Sequence, residues 1–383
     1  MTKNQLGIKY LFPVLLTFIV MGFVDIVGLA TGFVKKDFQL SDSVAQFLPS
    51  MVFVWFFICS IPIGIWQDRI GKKRMMTIGI VITIIGLLLP FMWYSFAVML
   101  ASFALIGIGN TIIQVSANPL LQEVTPKEKL SSFLSLSQFI KAITSLLGPI
   151  IATYVAASFG DWKFVLLVYA IVAGLSLLWL QATPIKETSA NDVRATFKSC
   201  MALLKNGFIF SVVMAIFLIV GADVGMNSNI QGLLMENHGI SIEQASYGIS
   251  IYFTALMISR FLGAILLQFL KPVHFLIASV GLALIGMGIL FSSDSLLMSQ
   301  IAIFVIGFGA GNLFPLVFSI AIDKMPERSN EISGLLIMAI VGGAVLPPVM
   351  GLLSQYVSLM AAMSVLVVCF VYVLLLGLKN MVK

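Results

Sequence analysis

Four ionisable side chains, Asp25, Lys141, Asp223 and Arg260, each stand inside a long, otherwise apolar run of the chain. A charge held in hydrocarbon is costly, so such groups face a protein interior or a hydrated cavity and pair with one another. Two acids and two bases balance, which predicts pairing, and Asp25 with Lys141 is the expected pair in the first half of the chain. A carboxyl that alternates between apolar surroundings and a neighbouring ammonium changes its proton affinity. The chemistry available to Asp25, Lys141 and Asp223 is therefore proton carriage. The competing reading, strongest for Arg260, is a static ion pair that fixes helix packing.

Uncharged polar residues follow the same logic. Asn110, Gln114 and Asn118 recur every four positions, as do Asp223, Asn227 and Gln231, with Asn229 on the adjoining face. Gln138 and Lys141 stand three apart. On a helix these spacings draw one polar stripe along one face. A lone buried Asn reads as interhelical glue, whereas three amides in line read as the wall of a hydrophilic path. Asn110, Gln114, Asn118, Gln138, Lys141, Asn227, Gln231 and Arg260 are thus candidate contacts for a small polar molecule. Amides hydrogen-bond hydroxyls, and aromatic faces cover C–H surfaces, a combination suited to sugars; Trp55, Phe56, Tyr252 and Phe253 can supply the faces.

The elements that position these residues are membrane helices. Hydrophobic residues make up 60% of the 383 positions and charged residues 10%, with mean hydropathy +1.08. A soluble domain needs far more polar surface. A span takes roughly 17–25 apolar residues, and the sequence predicts twelve, at 10–34, 44–66, 75–94, 96–121, 130–156, 162–182, 207–235, 243–270, 272–292, 296–322, 330–356 and 358–379. The fold class is an all-α polytopic membrane protein. Of the 22 Lys and Arg, 17 fall in alternate loops and at the termini, so both termini are expected in the cytoplasm of a bacterial inner (plasma) membrane. The net charge of +6 is therefore a matter of topology, and no nucleic-acid partner is expected. The first apolar run is too long for a cleaved signal peptide and is expected to remain as span 1.

Cys59, Cys200 and Cys369 are scattered without a CxxC spacing, and His238 and His274 fall in different loops. Neither a metal site nor a disulfide framework is expected. No Ser/His/Asp set, HExxH or Walker A sequence is present, so neither an enzyme nor an ATP-driven pump is predicted, and no cofactor.

The chain repeats itself with an offset of about 200 residues. Gly107 and Gly109 match Gly307 and Gly309, Pro126 matches Pro326, Pro149 matches Pro348, and Phe18 and Gly22 match Phe217 and Gly221. Both copies contain six spans and begin on the same side. Two six-helix bundles, 1–182 and 207–383, are expected, related by an axis along the membrane normal with a substrate site between them. The polar stretch 183–206 is the expected linker, part of it helical on the cytoplasmic surface.

Between spans 2 and 3 the chain reads Gly64-Ile-Trp-Gln-Asp68-Arg69-Ile-Gly71-Lys72-Lys73-Arg74. This resembles the signature loop of the major facilitator superfamily, G-x-x-x-D-R-x-G-(R/K)-(R/K). Glycines permit a tight turn, and Asp68 can meet a helix N-terminus, with the start of span 11 near Ser329–Ser333 as its expected partner. Gly64, Asp68, Arg69, Gly71 and Lys73 are the candidate gate. The competing reading is a plain basic turn.

Further blocks make the chain similar to the fucose permease branch of that superfamily, which includes L-fucose and glucose/galactose proton symporters. They are Ser116-Ala117-Asn118-Pro119, Val220-Gly221-Ala222-Asp223-Val224, Ser259-Arg260-Phe261 before Gly263, Phe314-Pro315-Leu316-Val317-Phe318-Ser319, and Ile340-Val341-Gly342-Gly343 through Pro348-Val349-Met350-Gly351. Four departures bear on mechanism. Gln114 stands where the branch has a glutamate, Lys141 where it has an asparagine and Asp223 where it has a glutamine; its span-1 aspartate falls near Leu29, one turn after Asp25. The resemblance implies a proton-coupled secondary importer of a sugar or sugar derivative, with an anionic sugar as a candidate because of Lys141, working by alternating access as a monomer in the lipid bilayer. Sodium is the alternative coupling ion, and a proton-driven exporter of amphipathic compounds is the alternative function.

Overall fold

The computed structural model describes residues 8–40, 44, 47–185, 187, 196–240, 242–292 and 294–381. The Ser189, Asn191, Asp192 and Arg194 part of the expected linker lies outside them, as does the side chain of Leu29. Among the described residues the chain is helical without a strand, and twelve segments are long and apolar enough to cross a membrane. In order they are Lys9–Ile26, Ser50–Ile70, Lys72–Met92, Phe96–Val124, Leu130–Gly148, Phe164–Ala182, Gly207–His238, Tyr247–Leu266, Pro272–Phe291, Leu296–Lys324, Pro326–Ser354 and Leu359–Asn380; they are spans 1 to 12 below. A separate short helix, Phe197–Leu203, occupies part of the expected linker.

Three spans are interrupted within their length. Taken together with its helical continuation to Asp37, span 1 passes from an α-helix, Ile8–Gly22, through a 3₁₀ segment, Phe23–Ile26, into a second α-helix, Val27–Asp37. Span 10 breaks at a turn, Gly311–Asn312, between helices Leu296–Ala310 and Leu313–Lys324. Span 11 passes through a 3₁₀ segment, Ala339–Val341, between Ser329–Met338 and Gly342–Tyr356. Each break frees backbone groups that lipid cannot satisfy, so protein must.

The chain forms two compact units. Unit 1 comprises Met1–Leu130, Ile140–Ala202 and Met325–Met338; unit 2 comprises Ser131–Phe139, Leu203–Lys324 and Ala339–Lys383. The 200-residue repeat appears as matching contacts inside each. A Cβ on Gly107 would lie 2.7 Å from the Val52 carbonyl oxygen, and one on Gly307 would lie 2.8 Å from that of Tyr252. On Gly109 it would lie 2.6 Å from Gly79 O, and on Gly309 2.6 Å from Ser279 O. Every partner is displaced by the same offset. Membrane helices gain little from apolar burial against one another, so close backbone packing through small residues holds them. Spans 4 and 10 also begin alike, with Ser95 Oγ accepting from Val98 N and Ser295 Oγ from Met298 N, the hydroxyl N-cap that occupies an otherwise orphaned donor.

Outside the spans, next to Ser95 in unit 1, Asp37 accepts from the Tyr94 hydroxyl at 2.5 Å and from Trp162 Nε1 at 3.1 Å. Lys163 Nζ sits 3.8 Å above the Tyr94 ring. Burial, reinforced by Asp37, raises the Tyr94 phenol far above its usual range.

Among the described glycines the tightest approach is in unit 2, where a Cβ on Gly342 would overlap the Phe217 carbonyl oxygen. Gly174 has no such neighbour within 4 Å. Overpacking a dense contact costs about 1–3 kcal/mol, whereas Gly→Ala in an open helical position gains roughly 0.5–1 kcal/mol. Gly342→Ala should lower the melting temperature of the detergent-purified protein, and Gly174→Ala should hold or raise it. Equal shifts of the same sign would contradict this packing.

Candidate functional site

Unit 1 brings Asp25 and Lys141 together. Asp25 lies in the 3₁₀ break of span 1, whose other residues, Phe23, Val24 and Ile26, are buried. Lys141 Nζ stands 3.8 Å from Asp25 Oδ2, with 20% of the lysine side chain and 38% of the aspartate's exposed. The Ser145 hydroxyl, one turn beyond Lys141, donates to the same carboxylate oxygen. The approach is close because span 1 carries Gly22 at the crossing, where a Cβ would sit 2.8 Å from Thr144 Cβ and 2.9 Å from the Lys141 carbonyl. The acid is thus held by one cation and one hydroxyl, both on span 5. Its side chain remains partly exposed.

The span-4 amides fasten this break. Asn110, fully buried, donates through Nδ2 to the Met21 carbonyl at 2.8 Å, and its Oδ1 accepts from Gln114 Nε2 at 2.6 Å. Both functional atoms of Asn110 are therefore occupied inside the unit. Asn118 Nδ2 reaches Gln114 O at 3.5 Å, and its buried Oδ1 has no partner among the described residues. The stripe predicted from spacing is present. Of its members, Asn110 crosses to span 1 as interhelical glue, Gln114 bonds Asn110 along the same helix, and Asn118 keeps an acceptor unmet among the described residues. Gln138 is buried on the Leu130–Phe159 helix.

In unit 2 Asp223 accepts a 2.8 Å hydrogen bond from the Tyr252 hydroxyl of span 8. Tyr252 is buried, so its body packs as an apolar residue while its tip satisfies the acid. Asn227, one turn on, is half-buried with Oδ1 unmet among the described residues, and Gln231 is half-buried. Arg260 Nε donates to the Gly311 carbonyl at 3.1 Å, a group left without an i+4 donor because Pro315 has no N–H.

The loop after span 2 is tied at several points within unit 1. Asp68 accepts from the Asn330 side-chain amide at the start of the Ser329–Met338 helix. A Cβ on Gly64 would lie 3.0 Å from Asn330 O and 3.4 Å from Gly334 Cα, so the glycine admits that helix. Gly71 has φ +91°, a conformation glycine adopts without steric cost. Glu187 then bonds both Lys72 N at 2.6 Å and Lys73 N at 2.9 Å, placing a carboxylate at the N-terminus of span 3 where the macrodipole favours it. Lys73 Nζ donates to the carbonyls of Gln181 and Thr183 at the end of span 6, and Lys72 pairs with Glu123 at 2.7 Å. Arg69 is exposed.

Several of these partners were not singled out by sequence reasoning. Ser145 lies on the Lys141 face at i+4, a spacing that could have flagged it. Glu187 and Asn312 gave no periodic signal, because their partners are distant in sequence, and Asn330 was covered only by the Ser329–Ser333 range expected to meet Asp68. Glu331 forms a bidentate pair with Arg328 at 2.5 and 2.8 Å and accepts from Ser199 of the Phe197–Leu203 helix.

Beside this cluster lies Cys200, 1% exposed. Burial, with Glu331 and Asp68 adding to it against Arg328, pushes its thiol up to about 12. The thiolate is the nucleophile, so Cys200 should alkylate very slowly near pH 7.5. Asp68→Asn removes the charge from the Asp68–Asn330 bond, and charge-assisted bonds are worth roughly 1.5–3 kcal/mol. In a background lacking Cys59 and Cys369, iodoacetamide labelling of Cys200 should therefore be faster in Asp68→Asn. An unchanged labelling rate would show that Asp68 does not hold this cluster.

A family model described as Major Facilitator Superfamily matches residues 14–230 and 212–381. The glucose/galactose transporter of Brucella abortus is 24% identical over 361 residues, covering 90% of this chain and 87% of its own. The crystal structure of the Escherichia coli fucose:proton symporter superposes with TM-score 0.83 at 18% identity, covering 97% of this chain and 99% of the other. That of the human organic anion transporter gives 0.79 at 14% identity, covering 96% and 99%. With twelve spans in a shared fold and a match along nearly its whole length, this chain belongs to the major facilitator superfamily of transporters.

Proposed function

We propose that this protein is a proton-coupled symporter that imports a sugar by alternating access. The observation that carries the reading is Asp25, a partly exposed carboxylate in the broken middle of span 1, gripped by Lys141 at 3.8 Å and by Ser145. Protonating Asp25 removes the charge that Lys141 attracts. The proton therefore has a differential interaction with two arrangements of the helices, which any coupled cycle requires. The sugar part of the reading is supported by the names of the similar proteins, a glucose/galactose transporter and a fucose:proton symporter. It is supported too by polar acceptors such as those of Asn118 and Asn227 in otherwise apolar surroundings. Lys141 is already opposed by Asp25, which favours a neutral sugar over an anionic one as long as Asp25 is ionised.

In this reading bundles 1–182 and 207–383 are the moving parts, joined by the 183–206 linker. The distribution of basic loops supports cytoplasmic termini in a bacterial inner membrane. Asp68 and Asn330, with Gly64 at their crossing, form a gate on that side; breaking it changes the balance of conformations and leaves sugar binding intact.

The test is made in proteoliposomes with labelled glucose, galactose, fucose and a uronic acid, with and without a pH gradient. Wild type should concentrate at least one neutral sugar only when the gradient is present. Asp25→Asn keeps an acceptor for Ser145 and discards the charge, so exchange between equal pools should persist while accumulation is lost. Asp223→Asn keeps an acceptor for the Tyr252 hydroxyl and should still accumulate. Accumulation by Asp25→Asn together with its loss in Asp223→Asn would move the coupling site to span 7.

A further inference from the structure

We infer that Asn312 is a positioning residue for transport, one that fixes the guanidinium of Arg260 at the break in span 10. This rests on the transporter reading above and concerns a residue outside the polar stripes. Asn312 is fully buried and stands in the two-residue turn, Gly311–Asn312, that divides span 10. Its Nδ2 donates to the Ser259 carbonyl at 2.6 Å and to Ser259 Oγ at 3.0 Å, and its Oδ1 accepts from Ser135 Oγ at 2.8 Å. A Cβ on Gly263 would lie 2.5 Å from both Nδ2 and Oδ1, so span 8 is shaped around this amide.

The residue before Asn312 and the residue after Ser259 make the second contact, Arg260 Nε to Gly311 O at 3.1 Å. Two consecutive turn residues therefore grip two consecutive residues of span 8. The amide of Asn312 locks the turn, and the locked turn sets where the Gly311 carbonyl meets Arg260. A guanidinium is a planar fork whose donors keep fixed angles to one another, so moving its Nε–H bond re-aims the whole group. Unit 1 repeats the device: Asn110 fastens the Met21 carbonyl at the break that holds Asp25. In each unit a buried asparagine secures an interrupted span beside an intramembrane charge.

The experiment compares wild type, Asn312→Ala, Arg260→Lys and the double variant in liposomes. Arg260→Lys retains the charge and loses the Nε–H donor. Loss of the positioning bonds is expected to raise the half-saturating concentration of the transported sugar about tenfold, the factor carried by about 1.4 kcal/mol, with a smaller change in maximal rate. In the Arg260→Lys background Asn312→Ala should add less than about twofold, because residues acting as one unit are not additive. A second readout needs no sugar. Phenylglyoxal modification followed by peptide mass spectrometry should be several-fold faster at Arg260 in Asn312→Ala, with the exposed Arg69 unchanged. Should wild type carry none of the sugars, the sugar reading falls and the arginine modification alone decides this inference. An unchanged rate at Arg260, acceleration at both arginines alike, or full additivity of the two substitutions would each overturn it and leave Asn312 as helix glue only.

Discussion

A helix that breaks inside hydrocarbon must find partners for the backbone groups it releases, and much of this protein's polar chemistry follows from that requirement. Span 1 breaks at Phe23–Ile26, and Asn110 takes up the Met21 carbonyl. Span 10 breaks at Gly311–Asn312, and Arg260 takes up the Gly311 carbonyl while Asn312 ties the turn to span 8. Water would satisfy these groups at little cost in a soluble protein. In a bilayer each unmet group costs several kcal/mol, so side chains from neighbouring spans are recruited and the breaks become rigidly defined.

Once recruited, the same side chains bring charge to mid-span. Asp25 sits in one break and Arg260 against the other. The Asp25–Lys141 distance of 3.8 Å with partial exposure describes a loose pair rather than a sealed one. A tightly buried ion pair that loses one partner costs about 3–5 kcal/mol, which would oppose turnover. A looser, partly exposed pair costs less to open. By contrast Lys72 and Glu123, at 2.7 Å with 7% and 13% side-chain exposure, are closely paired, which suits a fixed support of the loop rather than a moving part.

That loop shows how a short basic motif works as three helix caps. Gly71 turns the chain, Glu187 closes the start of span 3, and Lys73 closes the end of span 6. Helix termini carry partial charges of opposite sign, and acid at one and ammonium at the other answers both. Asp68 meets Asn330 at the start of the Ser329–Met338 helix. The basic residues thus brace the loop, and the single acid makes the longer-range tie.

The sequence by itself determined the class, the twelve spans, the twofold repeat and the intramembrane charges, because hydrocarbon imposes a composition and length that can be read without coordinates. It also led to Asp25 with Lys141, since two acids and two bases inside spans leave few ways to balance. The superfamily loop and the span 10–11 blocks were legible as motifs. Tertiary structure alone decided which carbonyl each amide would serve, that Asn110 is consumed as glue while Asn118 is not, and that Asp223 answers to Tyr252. It alone brought out Ser145, Asn312 and Glu187, and it picked Asn330 from the Ser329–Ser333 start of span 11 that the sequence offered as the partner of Asp68. Period and composition report which face of a helix is polar; they do not report which neighbour that face meets, because the crossing points are set by where glycines such as Gly22, Gly64 and Gly342 let backbones touch.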